Sequence, residues 1–130
     1  MHHLDTDTVI SLLRGNADIA EQLKAIVPNA GISTLVLAEL HFGIHASRNP
    51  DESRRRLDRF LPSLQVVSFN EIAAETYGRI RHSLKIRGLP IGDIDTFIAA
   101  VAVAHDATLV THNRKHFAHI EGLAIEDWIA

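Results

Sequence analysis

The chain contains no cysteine. This excludes disulfide staples, thiolate nucleophiles and cysteine-ligated metal centres, and it fits a reducing compartment. Aromatic residues are few, five Phe with Tyr77 and Trp128, so no platform for stacking several unpaired bases is evident. Positive charge is not in excess: the formal net charge is −3 with His neutral, whereas nucleic-acid binders are usually basic. No apolar run approaches the ~20 residues that span a bilayer, and no cationic stretch leads into an apolar one as in a signal peptide. A soluble, cytoplasmic protein is expected, one that could hold RNA only through a local basic patch and metal ions. What is present is an ordinary core. The 130 residues are 46% hydrophobic and 22% charged, which suits a single domain over 1–130.

Short apolar runs alternate with helical patterns. A strand is expected to end at Leu4 or Asp5, with His2 and His3 before it resembling a tag remnant. Thr6 or Asp7 is expected to cap a helix bearing Val9, Ile10, Leu12 and Leu13, with Gly15 as its stop. Further helices are predicted over 17–27, 34–45, 51–61, 71–87, 93–105 and 114–119, with Asn70 and Gly88 bounding the longest. Strands are predicted over 31–33, 64–67, 108–111 and 123–125. This alternation implies an α/β fold of three layers, α/β/α, around a short-stranded, mostly parallel central sheet. Ligands of such sheets sit beyond the carboxyl ends of the strands, where strand order reverses. Asp5 lies at one such end and Asn113 just past another.

Acids recur where a core is expected. Glu39 shares a helical face with Leu35 and Phe42. Asp5 ends the first strand, where a carboxylate serves as helix cap or site residue. Asp93 and Asp95 open the apolar helix over 93–105, and two residues of separation point them to different sides. Asp93 is read as the N-cap or a supporting group and Asp95 as the ligand. Two carboxylates about 5 Å apart repel by about 3 kcal/mol at an effective dielectric near 20. A gathered set therefore needs protonation or a divalent cation. Oxygen donors without cysteine suit Mg²⁺ or Mn²⁺ better than Zn²⁺.

These residues resemble the PIN-domain ribonucleases, specifically the VapC toxin type of toxin–antitoxin modules. Leu4-Asp5-Thr6-Asp7 is similar to the family's opening block, with Asp7 where Asn is usual. Ile32-Ser33-Thr34 through Ala38-Glu39-Leu40 and Gly43 resembles the second block. Gly88 to Gly92 followed by Asp95-Thr96-Phe97-Ile98 resembles the third. Leu109 to Asn113, Phe117 and Glu126-Asp127-Trp128 resemble the last. The resemblance implies an Mg²⁺- or Mn²⁺-dependent endoribonuclease, inhibited by a cognate VapB antitoxin and homodimeric, acting on structured RNA such as transfer or ribosomal RNA. It assigns the catalytic and metal-holding acids to Asp5, Glu39 and Asp95. The family's fourth acidic position falls on Asn113, which is not an acid. Thr6, Asp7, Ser33, Asp93, Thr111 and Asn113 are expected as auxiliary site residues, and His112, Arg114 and Lys115 as RNA contacts.

Other patterns have plainer readings. Arg54 to Arg56, and Arg79, Arg81, Lys85 and Arg87, read as solvated helix faces or phosphate contacts. His41 with His45, and His112 with His116, have the spacing of zinc ligands but show no third partner. Trp128 reads as a packing anchor. Two rival functions remain. Asp5-Thr6-Asp7-Thr8-Val9 is similar to the nucleophile motif of haloacid-dehalogenase-type phosphatases, which would give Glu39 no role. A non-catalytic PIN-like module that binds RNA or a partner is the other.

Overall fold

The structure, a computed structural model, describes residues 1–129. Its elements follow in the order β1 (His2–Leu4), α1 (Thr6–Leu13), α2 (Ala17–Ile26), β2 (Ala30–Ser33), α3 (Thr34–His45), α4 (Pro50–Phe60), β3 (Gln65–Val67), α5 (Glu71–Ile86), α6 (Asp93–Ala104), β4 (Thr108–Val110), α7 (Arg114–Phe117) and β5 (Ala124–Glu126). The strands form one sheet in the order β3-β2-β1-β4-β5. Every pairing is parallel, so the sheet is wholly rather than mostly parallel. Helices flank it, as the crossovers between parallel strands require.

The inner strands are buried, with Leu4, Ala30, Ile32, Leu109 and Val110 fully inaccessible. That burial is why they read as apolar runs without alternation. Gly31 lies where β2 meets β3, and a Cβ there would stand 2.8 Å from the Gln65 carbonyl oxygen. The helix α6 is apolar around most of its circumference, with Ile98, Ala99, Ala100, Val101 and Ala102 all buried. Phe97 stacks on Tyr77 of α5 at 4.1 Å between ring centroids and meets Phe69 edge-on at 5.2 Å. Trp128 is buried, as an anchor should be, and its indole N–H donates to Glu126.

Several local expectations change. The cap of α1 is Asp5, whose carboxylate accepts from the Thr6 N–H, rather than Thr6 or Asp7. Gly92 holds the cap position of α6 without a side-chain bond, and Asp93 is already inside the helix. Asn70 does cap α5, and Gly88 follows that helix at φ +66°. His2 and His3 are not a loose tag remnant. They form β1, the central strand, and His3 is buried. The apolar face of α3 around Glu39 is open: Leu35 is half-buried and Phe42 is 75% exposed. The core stripe of α3 is instead Val36, Leu40 and Ile44.

Candidate active site

Strand order reverses beside β1: the chain moves from β1 outward to β2 and β3, then returns to add β4 and β5 on the other side. The crevice beyond the ends of β1 and β4 is therefore the expected ligand position. Asp5 and Thr111 meet there. Asp5 is 5% exposed, and its two oxygens accept from the Thr6 N–H at 2.8 Å and the Thr111 hydroxyl at 2.7 Å. Burial pushes the Asp5 carboxyl up to about 6 from an ordinary 3.8. The Thr111 and Thr6 donors pull the other way, while the charges of Asp7 and Asp95 add to the rise. Asp5, Asp7 and Asp95 thus share one electrostatic environment.

A chain of hydrogen bonds runs outward from this centre. Thr6 of α1 donates its hydroxyl to Glu39 of α3. The Asn113 N–H donates to the Thr111 hydroxyl at 3.0 Å. His116 Nδ1 lies 2.9 Å from Asn113 Nδ2 and 3.3 Å from Asp95 Oδ2. One ring nitrogen cannot accept from the amide and donate to the carboxylate together, so the His116 tautomer decides which of the two is its hydrogen-bond partner. Asp7 is fixed by the His112 N–H at 3.1 Å. The His112 ring is in turn 3.0 Å from Asp127.

Most of the sequence-predicted residues fall in two neighbouring hydrogen-bonded groups: Asp5, Thr6, Glu39, Thr111, Asn113 and Asp95 in one, Asp7 and His112 in the other. Ser33 does not. It is buried and caps α3 by accepting from the Val36 N–H. Asp93 is exposed, and its side chain makes no hydrogen bond or ion pair among the described residues. Arg114 and Lys115 are exposed on α7 with no ion pair among those residues. Sequence reasoning missed His116 as a neighbour of Asp95 and Asp127 as the anchor of His112. The His116 signal was available, since it falls three residues after Asn113 and so on the same side of a helical turn.

The donor chemistry fits a hard divalent cation, being all-oxygen and including a buried acid burdened by its neighbours' charge. The acids do not close into a ready chelate: among the described residues no three His, Asp or Glu side chains stand where they could hold a metal ion. Glu39 is turned onto the Thr6 hydroxyl instead. Beside Glu39 a cleft of about 260 Å³ opens between α1, α3 and α4, lined by Ile10, Leu13, Leu40 and Ile44 with Arg14 and Arg56 at its polar side. Among the described residues no helix is long and apolar enough to cross a membrane.

A parallel sheet with acids at its switch point defines a class, and comparison with known proteins agrees. The PIN domain family model matches residues 3–123. The chain belongs to the PIN domain family, whose nucleases are typically metal-dependent, and within it to the VapC type. It is 35% identical to Ribonuclease VapC2 of Rickettsia felis, over 98% of each chain. It is 32% identical to the tRNA(fMet)-specific endonuclease VapC of Salmonella typhimurium, over 96% of each. The solved structure of VapBC2 from Rickettsia felis bound to a promoter DNA fragment superposes with a TM-score of 0.94 at 34% identity, covering 98% of each chain. The phosphatase reading of Asp5-Thr6-Asp7 is set aside by this membership.

Proposed function

We propose that this chain is a metal-dependent endoribonuclease toxin that cuts structured RNA and is restrained by a VapB-type antitoxin. The observation that carries the reading is Asp5: a buried carboxylate at the strand-order switch, with Asp7 and Asp95 raising its proton affinity. Such a group is held against its preference for the neutral form, and a bound cation relieves it.

In this mechanism Asp5, Glu39 and Asp95 would hold Mg²⁺ or Mn²⁺. A bound ion would supply a water of lowered pKa and positive charge beside the scissile phosphate. The chain's own residues do the positioning. Thr111 fixes one Asp5 oxygen and the Thr6 N–H the other, so the carboxylate cannot rotate. The Thr6 hydroxyl orients Glu39. His116 steadies Asp95 from the far side. Arg114 and Lys115 adjoin the site and attract the RNA backbone. With few aromatics for base stacking, recognition rests on RNA shape, which suits a folded substrate of the transfer-RNA kind.

The antitoxin occupies the cleft between α1, α3 and α4. Its apolar lining suits an amphipathic segment, and Glu39 at its edge suits a basic side chain that neutralises the acids. A homodimer in the cytoplasm is part of the same reading. The non-catalytic alternative draws on Asn113 in place of a fourth acid and on the lack of a closed chelate among the described residues. Incubation of purified protein with transfer RNA and Mn²⁺ separates the two. Discrete fragments that vanish with EDTA are expected. Intact RNA with the parent chain, alongside measurable RNA binding, would favour the non-catalytic module.

A further inference from the structure

The two arginine-rich helices treat their cations differently. On α4, Arg54 pairs with Asp58 at 3.2 Å and Arg56 with Glu52 at 2.9 Å, each four residues apart. These exposed pairs cancel their own fields. On α5, Arg79, Ser83 and Arg87 recur every four residues and so share one face. Among the described residues neither arginine has a carboxylate partner. Both line a second cleft, of about 230 Å³, between α5 and the segment after α7, together with Ser83, His119 and Glu121. Arg87 is held in place there: its Nη1 donates to the His119 carbonyl at 2.9 Å. Among the described residues Glu121 is the one acid lining the cleft. Against two guanidinium groups it leaves the cleft cationic, in a chain whose net charge is −3.

The cleft is also next to the acids. His119 follows His116 by three residues, at most about 10 Å of chain, and His116 touches Asp95. The loop leaving Arg87 leads into α6, whose first turn carries Asp95. A cationic cleft beside an acidic, metal-binding centre matches an extended polyanion: one phosphate at the acids and a neighbour in the cleft.

Building on the ribonuclease reading, we infer that the Arg79–Arg87 cleft binds a backbone phosphate of the RNA next to the one being cut. Ser83 and His119 add neutral donors to the same oxygens. The site positions RNA and takes no part in bond breaking.

The test uses a fluorescein-labelled RNA stem-loop and the full chain. Binding is followed by anisotropy over a salt series in EDTA, so it does not depend on cleavage. Arg79→Gln is the main variant, because the Arg79 side chain makes no hydrogen bond among the described residues. Arg87→Gln is the second, with Arg54→Gln on α4 as control. The expected result is binding roughly tenfold weaker for the double α5 variant, with the salt slope reduced by about 0.7 for each arginine–phosphate pair removed. With Mn²⁺, KM should rise by the same factor while kcat at saturating RNA is kept. Unchanged slopes for Arg79→Gln, or an equal weakening in Arg54→Gln, would overturn the cleft. Failure of the parent chain to cut any RNA would instead remove the ribonuclease reading, and the binding slopes would still judge the cleft.

Discussion

Two residues apart on the central strand, β1 and its end carry buried titratable side chains with opposite fates. Asp5 is 5% exposed and its carboxyl is pushed up to about 6. His3 is 2% exposed and its imidazole is pushed down to about 4, by burial first, then by the charges of His105 and the N-terminus. Each is driven toward its neutral form. Asp5, however, has donors on both oxygens, whereas among the described residues neither nitrogen of His3 has a hydrogen-bond partner. Its neighbour is the His105 ring at 5.7 Å, whose own Nδ1 is bonded to the Val101 carbonyl. The partners of Asp5 offset the cost of burying it, whereas His3 is a cost borne by the core.

The comparison breaks most sharply at Asp5. Asp5→Asn should lower RNA cleavage by about 10²-fold or more, measured as initial rate with Mn²⁺. The same change should stabilise the fold. A carboxyl whose folded pKa exceeds its unfolded value contributes stability below pH 3.8 and loses it as pH rises through 6. At pH 8 the ionised group therefore costs about 3 kcal/mol, which the amide removes. A lower melting temperature for Asp5→Asn at pH 8 would contradict this account.

His3 gives the opposite slope. Its folded pKa is depressed, so its stability is complete above pH 6.5 and lost as pH falls toward 4, again about 3 kcal/mol in all. His3→Leu should abolish that acid loss and leave the Asp5 slope uncovered, so that stability in urea titrations rises as pH falls from 6 to 4, and it should remove an unsatisfied N–H worth about 1–3 kcal/mol. Because the His3 and Asp5 slopes oppose each other between about pH 4 and 6, the parent chain should show little net change there. An unaltered acid limb in His3→Leu would mean that another group controls it.

A cation sharpens the contrast, since it acts on one of the two groups only. Mn²⁺ at a hundred times its dissociation constant should stabilise the parent by about 2.7 kcal/mol. The shift should be lost in Asp5→Asn and kept in His3→Leu. Equal shifts in all three would place the ion elsewhere. The smallest effect is expected from Thr111→Val, which strips one donor from Asp5 and makes it more like His3. Activity should fall about 10- to 100-fold with the fold retained, and the activity profile should move to higher pH. Full activity in Thr111→Val would show that this hydroxyl is dispensable.

The helices were legible in the sequence because their stripes and caps are local. Asn70 and Gly88 frame α5, and the apolar pattern of α6 follows from packing on several sides. Asp5 was legible as misplaced charge, and it is buried. Less was visible where distant chain decides. His3 looked like a tag because nothing nearby says that residues 2–4 become the middle of a sheet. The face around Glu39 looked like core because helical periodicity marks apolar residues and not what covers them. Thr6 or Asp7 was the first choice for the cap of α1 and Asp5 was left as cap or site residue, because all three are good caps and only the strand end selects Asp5. His116 was overlooked because its tie to Asp95 joins α7 to α6.

The pairing of β1 with β4 sets His2 against Thr108 and Leu4 against Val110. Asp5 therefore finds its Thr111 partner across more than a hundred positions of chain. On a ribosome, which releases the N-terminal end first, the strand bearing Asp5 emerges well before Thr111 and waits without that neighbour until the later segment follows. Until then the nascent polypeptide carries the Asp5 carboxylate without the hydroxyl that holds it.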